Sequence, residues 1–441
     1  MPAGNGSVKR YRHKTLEGIK GFSLPVVPPQ DRDVLRCLAA EQALIAHLPV
    51  HREKAELWRR MNDLEPVRPL VWINEICWNE MNVDGELTLQ CVHPWARQQE
   101  EGLRQLLYQW HHLPADMIVD DYLTCPLVIH STGFGVTPSE DIIRSDATSA
   151  VVSHRYRPQF VTEKDIEKIR KPVITYDVEA TEENYQAMCD IYAGILPVRK
   201  VGLKGAWFSP WDRLVELWGV EKALTDLVDR PEMVNAAIEC FVDAHLSMLN
   251  QWEDLNLLAR NDDNTRIGSG GYGYTSQLPA TGYNASHPRT ADLWGCATAQ
   301  IFADISPKMH WEFALRHELR WLERWGLTYY GCCEPLDRKI EILRRIPNLR
   351  KISVSPWNNL ERILNAIGHE YVLSRKPNPA ILARDSWQPE EARQDLCDFL
   401  DRARGLSVEV ILKDISTVRY DPRRLWEWAS LAMQTVEGYG P

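Results

Sequence analysis

Short apolar runs, each followed by a polar loop and then a segment with helical spacing, recur along the 441-residue chain. This order limits the fold more than any other feature. Parallel strands need a crossover long enough to hold a helix, so the pattern is that of an α/β protein. Residues 70–74, 117–119, 173–176, 198–203, 257–261, 327–330, 350–354, 371–374 and 408–412 read as strands. They exceed by one the eight strands of a (β/α)8 barrel, which assigns at least one of them to an insertion.

Helices are marked by their spacing and their ends. Residues 31–48 carry Val34, Leu35, Leu38, Leu44, Ile45 and Leu48 on one face before Pro49 stops the run, and 54–64 continue as a second helix. Pro231 opens a long amphipathic stretch to residue 255. Ser306 and Pro307 open another that ends before Gly326. The stretch 266–288 has neither period. Its Gly268, Gly270, Gly271, Gly273 and Gly282 lie among Tyr272, Tyr274 and Tyr283, which suggests a lid or binding loop. The domain reading is a helical extension over 1–66 and a barrel over 67–441.

Several classes are disfavoured. A net charge of -10 without a clustered basic surface argues against nucleic-acid binding. No apolar run approaches the roughly 20 residues of a membrane span. The basic start, Lys9 to Lys14, lacks an apolar run behind it and reads as a docking arm rather than a signal peptide. Ten cysteines without repeating spacing read as reduced thiols, hence a cytoplasmic protein. The Gly268-Ser-Gly-Gly-Tyr-Gly run lacks the residues of a phosphate loop, and no Gly-x-Ser-x-Gly elbow is present.

Barrel enzymes place their chemistry on the loops after strands. That rule selects Cys332, Cys333 and Glu334, the acids Asp262 and Glu75 as proton donors, and Arg375 with Lys376 as holders of acidic substrate groups. Lys413 with Asp414 ends the last strand as an ion pair. The 17 tryptophans suggest an aromatic pocket, with Trp78, Trp207 and Tyr272 as candidates for contact with substrate.

From Trp218-Gly219 onwards the order of motifs resembles the uroporphyrinogen decarboxylase superfamily, which includes zinc methyltransferases that work with corrinoid proteins. The resemblance is carried by Asp229-Arg-Pro-Glu232, by 257–263 ending in Asn261-Asp262-Asp263, and by Ile305-Ser-Pro-Lys-Met309. It continues through Gly326-Leu-Thr-Tyr-Tyr-Gly-Cys-Cys333, Val354-Ser-Pro-Trp357, Ser374-Arg-Lys-Pro-Asn-Pro379 and the closing helix 422–436. It implies a (β/α)8 TIM barrel and a methyltransferase acting on a small substrate, with a corrinoid protein as partner. It also implies zinc, and because two of the family's three ligands are replaced here, the set open to it is Cys332 or Cys333 with Glu334 and a histidine, His287 or His310. Tyr330 stands where the family has a histidine, and Lys413-Asp414 where the methyltransferases carry a further cysteine. Tyr330 is therefore a candidate for a catalytic role. Two alternatives stay open: a cofactor-free decarboxylase or lyase of a carboxylated molecule, and a non-catalytic ligand-binding barrel. Cys332, Glu334, Asp262 and Arg375 facing one another would favour an enzyme. Relatives of this kind often pair, so a homodimer is compatible.

Overall fold

The computed structural model describes residues 27–143 and 153–440, and the basic segment from Lys9 to Lys14 lies outside them. Its centre is a parallel six-stranded sheet in the order Leu70–Ile73, Val408–Leu412, Val372–Arg375, Leu349–Val354, Leu327–Tyr330 and Trp294–Ala297. The five later strands are neighbours in chain order, and the first strand docks beside the last, with Val71 opposite Val410. Further contacts extend both edges. Asp116 N donates to Val71 O at 2.8 Å, and Thr298 N donates to Phe208 O at 3.2 Å.

Alternation along these strands separates two cores. Val71, Ile73, Tyr330, Ile352, Val354, Leu373, Val410 and Leu412 face the helices in the largest apolar cluster. Trp72, Val372 and Ile411 face the other way, packing with Trp58 and Tyr272, while Trp294, Cys296, Leu327 and Tyr329 pack with Ile267. The second set lines the opposite face of the sheet. Trp58 comes from the helix Val50–Asn62, is fully buried, and donates from its indole to Asp116 O at 2.8 Å. The helix Val50–Asn62 thus supplies part of this cluster, whereas Leu35, Ala39 and Ile45 of Pro29–Ala46 pack in others. Truncating an indole in such a place costs about 3–5 kcal/mol.

The glycine-rich stretch enters this interior. Its backbone passes so close to Trp58 that a Cβ on Gly271 would lie 2.3 Å from the ring, so only glycine fits. Beyond it, Ser276 is held by Asp63 at the end of the helix Val50–Asn62.

Some expected elements differ. Residues 257–261 do not enter the sheet and make only an isolated bridge between Leu203 and Leu258. Asn261 instead clamps Trp294 through its main-chain N–H and carbonyl, at 2.9 Å each. Ile174–Asp177 pairs antiparallel with Val128–Ser131 in a separate ribbon. Trp294–Ala297 is a strand the hydrophobic pattern missed, because Gly295 and Ala297 are poor strand formers and only Trp294 favours one. Gly295 is required there, since a Cβ would lie 2.2 Å from the Trp325 ring. The expected helix from Ser306 is capped by that serine as predicted, but it widens into a π-helical turn at Trp311–Leu315 before continuing as Arg316–Leu322.

Candidate functional site

The inward side chains build a polar column of three tiers. At the N-terminal end of the sheet, Lys351 Nζ lies 3.0 Å from Glu409 Oε2, with both side chains fully buried. The same ammonium donates to Tyr272 O at 3.0 Å, and Gly271 N donates to Glu409 Oε1 at 3.1 Å. The pair anchors the glycine-rich stretch to two strands.

The middle tier is Lys376, Tyr329, Ser374 and Ser269. Lys376 Nζ donates to the Tyr329 hydroxyl and, at 2.6 Å, to Ser374 Oγ, while Ser269 Oγ lies 2.9 Å from the same hydroxyl. Burial brings the Lys376 ammonium down to about 7, so this group can hold or release a proton near neutrality. Burial also pushes the Tyr329 phenol above its ordinary range.

The third tier sits where the strands end. Lys413 Nζ is 3.7 Å from Cys332 Sγ, 3.8 Å from Cys333 Sγ and 3.5 Å from Glu75 Oε2, and it also donates to Asp414. Arg266 reaches Glu75 at 2.8 Å. The two sulfurs are 3.5 Å apart, and Cys333 donates to Asp414 Oδ2 at 3.5 Å. The Cys333 hydrogen bond, then Lys413, hold the Cys332 thiol below its ordinary value, although burial opposes them. Burial would lower Lys413, but the surrounding Cys332, Cys333, Asp414 and Glu75 raise it well above its ordinary value. Lys413 therefore remains a cation facing sulfur. Burial would raise Asp414, yet Lys413 draws it down to about 2.

Backbone strain marks the same place. Glu75 and Asp414, at the ends of neighbouring strands, have φ of 52° and 58°, a conformation that costs a residue with a side chain roughly 1–2 kcal/mol. They are tied by Ile415 N donating to Glu75 O at 3.2 Å.

The expected site residues divide by this geometry. Glu75, Lys376, Cys332 and Cys333 belong to the column. Arg375 does not: it faces the helices, beside Asp395 at 3.3 Å and over the Phe399 ring. Tyr330 likewise points outward, its hydroxyl 2.7 Å from His310 Nε2 and 2.8 Å from Glu318 Oε2. Asp262 is paired with Arg260. Tyr272 lies near Lys351 with its ring between Trp58 and Trp72, at 5.3 and 5.0 Å. Trp78 is half-buried beside Tyr108, and Trp207 is 39% exposed. Of the four residues whose convergence would have favoured an enzyme, Cys332 alone is part of the column.

The donor set does not fit a zinc site. The Glu334 carboxylate is buried as a turn cap, accepting from Thr298 Oγ1 at 2.8 Å and from Cys332 N at 2.9 Å. His310 lies on the outward side of the sheet with its Nε2 bonded to the Tyr330 hydroxyl, and His287 is exposed on the glycine-rich loop. A cation already faces both sulfurs, and it is Lys413. Among the described residues no group of three or more histidine, cysteine or acidic side chains is arranged to hold a metal ion.

Tyr329, Ser269, Arg266, Lys351 and Glu409 were not anticipated. Strict alternation from Tyr330 or Arg375 would have found their inward neighbours Tyr329 and Lys376 as a pair.

No protein-family model and no curated protein matches the sequence. Among solved structures, a methyltransferase from Methanosarcina mazei aligns at a TM-score of 0.48 and 10% identity, over 88% of this chain and 98% of that one. A likeness this distant assigns no activity. No helix among the described residues is long and apolar enough to cross a membrane.

Proposed function

We propose that the chain is a (β/α)8-barrel enzyme of the methyltransferase kind, with the Cys332 thiolate as nucleophile at the mouth of the barrel. The barrel reading is supported by the inward and outward alternation and by the contacts of Asp116 and Phe208 beyond the two sheet edges. The observation that carries the function is Lys413 facing both sulfurs. A thiolate is the reactive form of cysteine, and a fixed ammonium beside it keeps that form populated.

The step is displacement at carbon. Cys332 Sγ forms a bond to a methyl group as the bond to an electron-poor leaving atom breaks, that atom keeping the electron pair; an acceptor nucleophile, a small thiolate or cobalt(I), then forms a bond to the same carbon as the C–S bond breaks and the Cys332 thiolate returns. Suitable donors are a sulfonium, a quaternary ammonium, or the methylated cobalt of a corrinoid protein acting as partner. Half-buried Cys333 and Asp414 and the partly exposed Arg266 mark the side from which a small donor approaches.

The reading is tested by incubating reduced protein with isotopically labelled trimethylsulfonium, tetramethylammonium and methylcobalamin, and mapping the label by peptide mass spectrometry. Label on Cys332 that is lost in Cys332→Ser supports it. Label no faster than on a free small thiol contradicts it.

Lys376 favours a second reading, a cofactor-free decarboxylase or lyase. In its ammonium form it can hold a substrate carboxylate and then return a proton to carbon beside Tyr329. Carbon dioxide released from a carboxylated substrate and abolished by Lys376→Met, with Cys332→Ser still active, would establish this reading in place of the first.

A further inference from the structure

Neighbouring cysteines are often mere packing, but this pair has everything a two-electron thiol reaction needs. The sulfurs are already in contact at 3.5 Å. One faces an ammonium, and the other donates to a carboxylate. Cys332 is 5% exposed, while Cys333 beside it is half-buried, so a molecule of a few atoms can approach where a bulky disulfide is excluded.

We propose that Cys332 and Cys333 form a redox-active dithiol that reacts with hydroperoxides and closes to a vicinal disulfide. The Cys332 thiolate attacks the O–O bond, taking one oxygen as a sulfenic acid while the other leaves as an alkoxide or hydroxide that accepts a proton. Cys333 then gives its proton to Asp414 and attacks the Cys332 sulfur. The sulfenic oxygen departs as hydroxide and collects that proton as water. The dithiol loses two hydrogens and two electrons; the hydroperoxide becomes one alcohol, or water, and one further water.

The ring so formed is strained. Adjacent Cα atoms are about 3.8 Å apart, below the usual disulfide range of roughly 4.4–6.8 Å. Strained disulfides are readily reduced, so a thiol reductant reopens the pair. Closure removes the Cys332 thiolate and so switches off methyl transfer, a consequence that rests on the function proposed above.

The test uses the full chain, reduced and then treated with one equivalent of hydrogen peroxide, followed by peptide mapping without reductant. The expected result is a 332–333 peptide lighter by two hydrogens, restored by a thiol reductant, and a dimedone-trappable sulfenic acid on Cys332 in Cys333→Ser. Asp414→Asn, which keeps the side-chain shape, is expected to close at least five-fold more slowly. Progression of Cys332 to sulfinic acid with Cys333 present, or no oxidation at this pair, overturns the proposal. Iodoacetamide labelling of Cys332 in parallel separates the two claims. A reactive thiolate that does not close refutes the dithiol alone, whereas an inert Cys332 refutes the nucleophile as well.

Discussion

Lys351 and Glu409 meet at 3.0 Å on the sheet face that carries Tyr329 and Lys376, reaching past the intervening strand Val372–Arg375. Both are fully buried, and each also holds the glycine-rich stretch, through Tyr272 O and Gly271 N. Removing one partner leaves a buried charge uncompensated, which typically costs about 3–5 kcal/mol, whereas replacing both with apolar residues is often near neutral. Lys351→Met and Glu409→Leu are each expected to lower the denaturant midpoint strongly, with the double variant recovering a large part. Additive losses in the double-mutant cycle would show that the charges are not coupled.

Arg375 and Lys376 are adjacent in sequence and serve opposite faces. Lys376→Met is expected to leave the fold intact and remove any activity that rises as a group near pH 7 titrates, because its ammonium lies among Tyr329 and Ser374. Arg375→Met loses its contacts with Asp395 and Phe399, so melting temperature should fall without a change in Cys332 reactivity. Paired melting curves and labelling rates check both, and a swap of the two phenotypes would refute the assigned faces.

Behind the strand Leu327–Tyr330, burial raises Glu318 to about 8 from an ordinary 4.5. The folded state therefore keeps a proton that the unfolded chain releases. This contribution to stability is complete below pH 4.5 and is lost as pH rises through about 8. Glu318→Gln, which does not titrate, should show a shallower decline in melting temperature between pH 5 and roughly pH 9. Parallel curves for the two proteins would contradict the assignment.

Gly271→Ala places a methyl group where the Trp58 ring lies. Overpacking of this kind costs about 1–3 kcal/mol. Chemical denaturation should show that loss, and Trp58→Phe combined with Gly271→Ala should lose less than the sum of the single changes. Full additivity would place the clash elsewhere.

The order of runs and helices made an α/β chain legible, and the aperiodic glycine-rich stretch announced a special role that the interior path explains. The strand-end rule found Cys332, Cys333, Glu75 and Lys376, since all follow apolar runs. What escaped was register. A one-residue slip exchanges the two faces of a strand, and both Tyr329-Tyr330 and Arg375-Lys376 offer chemically plausible side chains on each face. Lys351 and Glu409 escaped for another reason: a charge inside an apolar strand reads as exposed until its partner, 58 residues away, is known. The strand Trp294–Ala297 carries no β-branched residue to reveal it.

The most direct test of the central claim is the rate at which iodoacetamide labels Cys332 as a function of pH, in the wild type and in Lys413→Met. With the Cys333 hydrogen bond and the 3.7 Å Lys413 contact both favouring the thiolate, wild-type labelling should rise at a pH below the ordinary thiol value near 9, and Lys413→Met should shift that rise to more alkaline pH and slow labelling at pH 7. Wild-type labelling that rises only above the ordinary thiol value near 9, or profiles that coincide, would contradict Cys332 as the nucleophile.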